Sequence, residues 1–259
     1  MKTLAIVQAR MQSTRLPGKV LMAVGRYPML HLVLERAGRM VGDDCVVLAI
    51  PVNTPALRSA WPQVVEGPEH DVLTRYVQVA RQYEADAYVR FTADCPLLDV
   101  AYAQHLIGWF QHLRAENSHG TAPALLATSP DLDGLDTEVF TRQALLDADA
   151  NARGADREHV TSWMRRHLPT QLATMPLLGG PIRWSVDDAG GLEFVRRVVG
   201  ACADCAVGVP HHTNAGSSIG GVDRSLVLDL HVGEGGGLVE CTSADILRER
   251  MGSSWRFSS

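Results

Sequence analysis

Over the first 110 residues, short apolar runs alternate with stretches of helical periodicity, and this feature most narrows what the chain can become. Leu4–Val7 reads as a buried strand, followed by a polar loop from Gln8 to Lys19. Between Pro28 and Met40, apolar residues recur at helical spacing through Met29, Leu32, Val33, Ala37 and Met40. Cys45–Ile50 is the next strand, ending at Pro51. Asp71–Tyr83 places Leu73, Tyr76, Val77, Ala80 and Tyr83 on one face, with Asp71 as the predicted N-cap. Ala87–Ala93 is a further strand, and Val100–Leu113 a further amphipathic helix behind Asp99 as N-cap. Strand, crossover helix and strand at this pitch predict a parallel sheet covered on both faces. Ligands of such sheets sit at the carboxyl ends of the strands.

From about residue 114 to 180 the pattern loosens, with helices predicted around 141–150 and over 156–167. RWSV (183–186) reads as a strand and 191–202 as a helix. The remainder changes character: residues 206–237 hold 8 of the 23 glycines. There 225–232 reads as a strand and 242–251 as a short helix. The predicted division is a catalytic α/β unit over 1–205 and a Gly-rich extension over 206–259.

Composition removes several classes. At 259 residues, with 46% hydrophobic and 20% charged residues, this is a folded chain rather than a disordered or fibrous one. A net charge of −5 argues against binding nucleic acid by bulk charge, though a nucleotide needs only a local cluster of donors. No apolar run approaches the roughly 20 residues of a membrane helix, so no membrane partner is expected. The apolar start meets Gln8 and Arg10 too soon for a signal peptide. Five cysteines, an odd number, suit a reducing compartment and a cytoplasmic location.

Two segments carry chemistry. The loop Q-A-R-M-Q-S-T-R-L-P-G-K holds Arg10, Arg15 and Lys19, the hydroxyls of Ser13 and Thr14, and the Pro17–Gly18 turn. Three cations and turn amides make a polyanion pocket, because each donor meets phosphate oxygens through charge-assisted hydrogen bonds. A solvated basic loop has the same composition, and the Walker A pattern is absent. The second segment is A-D-C-P-L-L-D, where Asp94 follows a strand beside a Cys-Pro turn; W-S-V-D-D repeats the placement with Asp187. Strand-end carboxylates suit Mg²⁺, a hard cation that prefers oxygen ligands, and they also cap turns. Spacing leaves open whether the two converge. Cys95 lacks an activating base in its motif and reads as structural. Cys202 and Cys205, with His211, His212 and Cys241 downstream, read as helix packing rather than zinc ligands, because no second C-x-x-C is present.

Read together, QARMQSTRLPGKVL, EHDVLTRY, RFTADCPLLD, GLDTEVF, DREHVT and RWSVDDAGGLEFV occur in that order across residues 3–200. The chain resembles the spore-coat polysaccharide type of cytidylyltransferase, similar to synthetases that join CMP to 3-deoxy-manno-octulosonate or N-acylneuraminate. The resemblance implies a Rossmann-like nucleotidyltransferase α/β/α sandwich with a mostly parallel central sheet. It also implies a homodimer, with residues 114–180 forming the acceptor-site and dimer-arm region.

By that resemblance, Arg10 and Lys19 grip the triphosphate of CTP, supported by Arg15 and Ser13. Gln8 and Ala9 lie against the base, and Arg75 joins the nucleotide site. Asp94 and Asp187 hold Mg²⁺. Asp136, Arg157 and His159 face a small anionic or sugar acceptor. The chain departs from the family in one block, V-D-D-A-G-G-L in place of V-D-T-P-E-D-L. The implied reaction is Mg²⁺-dependent transfer of CMP from CTP to a sugar acid, phosphate or phosphonate, with release of pyrophosphate. The alternatives are a nucleotidyltransferase using another NTP, or a non-catalytic nucleotide-sugar binding protein.

Overall fold

Each strand of the central sheet sorts its side chains to two faces by simple alternation. The arrangement comes from a computed structural model, which describes residues 1–116, 122–173 and 182–206. In chain order the elements begin with β1 (Thr3–Gln8), β2 (Ala23–Val24), β3 (Tyr27–Pro28), α1 (Met29–Val41) and β4 (Val46–Pro51). They continue with α2 (Pro55–Arg58), β5 (Val64–Gly67), α3 (Val72–Gln82), β6 (Ala87–Thr92) and α4 (Val100–Glu116). Next come β7 (Leu125–Thr128), β8 (Leu132–Asp133), β9 (Glu138–Thr141), α5 (Arg142–Asn151), α6 (Ala155–Glu158) and α7 (Ser162–His167). β10 (Thr170–Ala173), β11 (Ile182–Arg183) and α8 (Ala189–Ala206) complete the series. Contacts divide the chain into two units, Met1–Gly191 and Leu192–Ser259. Of the second, the described part is the helical stretch that ends at Ala206.

In the first unit a seven-stranded sheet runs in the order β10-β7-β9-β6-β1-β4-β5. β1 pairs in parallel with both β4 and β6, and β4 with β5. β9 pairs antiparallel with both its neighbours, β6 and β7. The sheet is therefore mostly parallel, and β1–β6 is the place where strand order reverses. Ala5, Val7, Val46, Leu48, Ile50, Val89 and Phe91 pack on one face with residues of α1 and α4. Leu4, Ile6, Val47, Ala49, Tyr88 and Phe140 pack on the other with residues of α3 and α5. Each fully buried side chain of this size contributes about 1.5–3 kcal/mol, so two facing layers suffice to hold the sheet between them.

The caps follow the predicted chemistry. Asp71 accepts from the Thr74 N–H at 2.9 Å at the start of α3, and Asp99 from the Tyr102 N–H at 2.9 Å at the start of α4. Thr141 does the same for α5, accepting from Ala144 at 3.0 Å.

Three expectations are corrected. The helix predicted over 156–167 is two short helices, α6 and α7, broken at Val160, which takes φ 46°. A β-branched residue in the left-handed region is strained, so its neighbours must hold it there. The strand predicted over 183–186 is shorter: only Ile182–Arg183 pairs, in parallel with Leu132–Asp133. Short strands in the loosely patterned region, β7, β9 and β10, were not expected; each has only four residues. The elements predicted at 225–232 and 242–251, and the cysteine and histidine group from 202 to 241, lie outside the described residues or side chains. No described helix is long and apolar enough to cross a membrane.

Candidate active site

The loop after β1 folds back on itself to deliver Lys19 to the sheet edge. The Gly18 N–H donates to the Met11 carbonyl at 2.9 Å, and the Lys19 N–H to the Leu16 carbonyl at 3.2 Å. Gly18 takes φ 70° and ψ 10°, the geometry of the third residue of a type II turn, which glycine adopts at little cost. Lys19 then opens a 3-10 turn, and its side chain is only 11% exposed.

Two further segments come to the same place. Asp94 lies just beyond β6, at the carboxyl end of the strand beside β1. The chain after β11 is pinned there by a backbone bond from the Val186 N–H to the Asp94 carbonyl, at 2.8 Å. Asp187 follows directly. Close packing permits this approach: a Cβ on Gly134 would lie 2.5 Å from the backbone of both Trp184 and Ser185. Gly134 also has φ 95°.

Lys19 Nζ donates to Asp94 Oδ2 at 2.8 Å, to the Val186 carbonyl at 2.7 Å and to Asp187 Oδ1 at 3.3 Å. One ammonium thus bridges two carboxylates that are 93 positions apart in sequence. Arg15 and Arg183 also reach Asp187 Oδ2, at 3.0 and 2.9 Å. Burial opposes ionisation of Asp187, but these donors outweigh it and hold the carboxyl below its ordinary value. Asp188 turns away: it accepts from the Gly191 N–H at 2.9 Å and caps α8.

Around this cluster lies a cleft of about 1030 Å³. Gln8, Ala9, Arg10, Ser13, Arg15 and Lys19 line it from the β1 loop, and Asp94 lines it from the end of β6. Arg75, Asp136, His159 and Asp187 line it from elsewhere. Arg10 meets Glu158 at 3.0 Å, an exposed pair that contributes little stability. Arg75 is 1% exposed and donates to the Pro68 and Glu69 carbonyls, which spends part of its fork on the loop before α3. Asp136 accepts from the Gly134 N–H at 3.0 Å, and burial pushes its carboxyl up.

Arg157 is the expected site residue that does not line the cleft. Its guanidinium donates to Asp71, to Thr74, and to both the side chain and the carbonyl of Asp149. Cys95 is buried, and burial together with Asp94 and Asp136 pushes its thiol well up, which removes it as a nucleophile. Sequence reading missed Arg90, Asp133 and Glu158 among the lining residues. Arg90 left a signal, a cation in the middle of the apolar strand A-Y-V-R-F-T, where burial demands a partner. That partner is Glu138 on β9, with Nη1 to Oε2 at 2.7 Å.

A sheet with its order reversal beside a basic loop and two converging carboxylates defines a nucleotidyltransferase-type α/β fold. The cytidylyltransferase family model matches residues 4–178, and the chain belongs to that family. Spore coat polysaccharide biosynthesis protein SpsF of Bacillus subtilis is 29% identical over 176 residues, which cover 63% of this chain and 70% of that one. The 3-deoxy-manno-octulosonate cytidylyltransferase of Rhodopseudomonas palustris is 28% identical over 182 residues, covering 70% and 69%. A cytidylyltransferase structure from Leptospira borgpetersenii superposes with a TM-score of 0.70 at 25% identity, covering 78% of this chain and 87% of that one.

Proposed function

We propose that the protein transfers CMP from CTP to an anionic sugar acceptor and releases pyrophosphate, with Mg²⁺ held by Asp94 and Asp187. The observation that carries this reading is the convergence of both carboxylates on Lys19, at 2.8 and 3.3 Å, within reach of the β1 loop. Two carboxylates that converge on one cation offer hard oxygen donors to a divalent ion able to take the ammonium's place. When bound, Mg²⁺ offsets negative charge on the α-phosphate and the leaving pyrophosphate. The side chains of the protein do the rest. Arg10 and Arg15 bind the β- and γ-phosphates, joined by Lys19 when its ammonium leaves the two carboxylates, so charge that develops on the leaving group meets cationic donors. The cleft orients an acceptor oxygen for in-line attack on the α-phosphorus. The new P–O bond forms as the bond to the β-phosphate oxygen breaks, pyrophosphate leaves with that electron pair, and the proton of a hydroxyl acceptor passes to solvent water. Asp136 and His159 line the same cleft and suit the acceptor end. The sugar-acid class is supported by the activity named for the Rhodopseudomonas relative.

The test is pyrophosphate release from CTP and Mg²⁺ in the presence of a panel of sugar acids, sugar phosphates and phosphonates. One or more acceptors should support turnover. Asp94→Asn and Asp187→Asn should each lower it by about 100-fold or more, the scale of a lost transition-state electrostatic contact. The double variant should be little worse than either single one. Asp188→Asn keeps its cap and should turn over nearly as the parent does. Turnover retained by Asp94→Asn across a Mg²⁺ titration would remove the metal assignment.

A further inference from the structure

The Gln8 side chain is anchored from behind. Its carboxamide oxygen accepts from the Tyr76 hydroxyl at 3.0 Å and from Arg90 Nε at 3.2 Å. A guanidinium N–H only donates, so the oxygen of Gln8, and not its nitrogen, must face it. Tyr76 is fully buried on α3, and burial pushes its phenol up, so it remains a protonated donor. Arg90 is aimed in turn by Glu138, its direct partner in the β6–β9 register. Glu138 is 3% exposed, and its other oxygen takes Thr161 at 2.7 Å and Arg165 at 2.6 Å. A buried ion pair with every oxygen engaged holds its members to one geometry. Among the described residues, none accepts from the Gln8 amide nitrogen, and Gln8 lines the cleft. Its N–H pair is therefore the edge offered to a ligand.

We infer that Glu138, Arg90 and Tyr76 are positioning residues that lock the Gln8 carboxamide with its N–H donors toward the nucleobase, so that Gln8 selects a base edge carrying adjacent acceptors. Cytosine presents N3 and O2 as such an edge. Uracil presents an N3–H there, which faces the amide donor to donor. The inference rests on the CTP reading, and it adds which side chain discriminates and what holds that side chain in place.

Equilibrium binding of CTP, UTP and pyrophosphate, with Mg²⁺ and no acceptor, tests it on the parent, Gln8→Glu and Tyr76→Phe. Glu at position 8 still offers an oxygen to Arg90 and Tyr76, but carries no N–H. It should weaken CTP by about tenfold, tighten UTP, whose N3–H meets the free carboxylate oxygen, and so collapse the CTP-to-UTP ratio. Tyr76→Phe removes one of two anchors and should lower the same ratio several-fold, with pyrophosphate affinity unmoved in both variants. A ratio retained in both variants overturns the inference and leaves the CTP reading intact. A parent that binds UTP as tightly as CTP overturns the CTP reading itself. Parallel loss of CTP, UTP and pyrophosphate in both variants assigns the network to general site integrity and also overturns the inference.

Discussion

Lys19 sits where two functions meet. Its ammonium is the counter-charge that lets Asp94 and Asp187 lie together, and it belongs to the loop that binds phosphates in the proposed reaction. Two carboxylates without a cation between them repel, and the repulsion strengthens as water is excluded. If a divalent ion takes the same two oxygens, the ammonium and the ion compete for them. Lys19→Met should therefore lower thermal stability without metal and raise the stabilisation gained from Mg²⁺ alone, since binding to the folded state shifts the midpoint by mass action. A Mg²⁺ titration of the melting temperature without nucleotide reads this directly. An equal shift in parent and variant would separate Lys19 from the ion site. Turnover should fall in either case, because the leaving group loses a donor.

At the scale of elements, Arg157 ties three helices together. It belongs to α6, bonds the Asp71 cap and Thr74 of α3, and holds Asp149 near the end of α5. Its hydrogen bonds to Asp71 and Asp149 raise its own pKa, and its side chain is 22% exposed. Arg157→Ala should cost about 1–2 kcal/mol, the net worth of partly exposed charged hydrogen bonds. Folded variant protein should keep the parent's KM for the acceptor as well as its nucleotide affinity, and a urea titration beside the acceptor KM distinguishes this from a direct role at the acceptor. The block that carries Arg157 was legible in the sequence, but its orientation was not. Helical periodicity ran through 156–167 unbroken, while the structure turns at Val160 so that Thr161 and Arg165 reach Glu138 and His159 lines the cleft. Tertiary pairing with a buried carboxylate won over local propensity. β1, β4 and β6 were readable as mostly apolar runs of six residues set between helices of clear period. β7 and β9 were not, because each is only four residues long and lies in a stretch that lacks such flanking periodicity. The acidic pair was readable as two strand ends. Their convergence was not, since it depends on the Val186–Asp94 backbone bond and on the missing Cβ of Gly134.

Across the first unit, two kinds of carboxylate give stability opposite dependences on pH. Burial would raise Asp71 and Glu138, but Arg157 with Thr74 at the first, and Arg90 and Arg165 with Thr161 at the second, outweigh it and hold both below their ordinary values. Such groups stabilise the fold above the pKa of the unfolded chain, about 4, and that contribution is lost as pH falls through the lower folded value. Asp136 behaves in the opposite way. Burial dominates there, the Gly134 N–H and Arg90 compensate only in part, and the nearby Glu138 and Asp133 add repulsion. Its folded pKa lies above the unfolded one, so its contribution is full below about pH 4 and is lost as pH rises through the folded value. As pH rises through that value the cleft gains a charge that folding disfavours. Asp136→Asn removes that charge and keeps an oxygen for the Gly134 N–H. It should raise the urea midpoint at pH 7, and the gain should shrink toward zero as pH falls below about 4, where the parent carboxyl becomes protonated in both states. Turnover with the acceptor that the panel identifies should fall in the same variant, since a disfavoured charge in a ligand cleft is the pattern expected where function, not folding, selects the residue. A variant no more stable than the parent at pH 7 would show that the Asp136 charge costs the fold nothing. A stabilised variant with unchanged turnover would separate the cost from the chemistry.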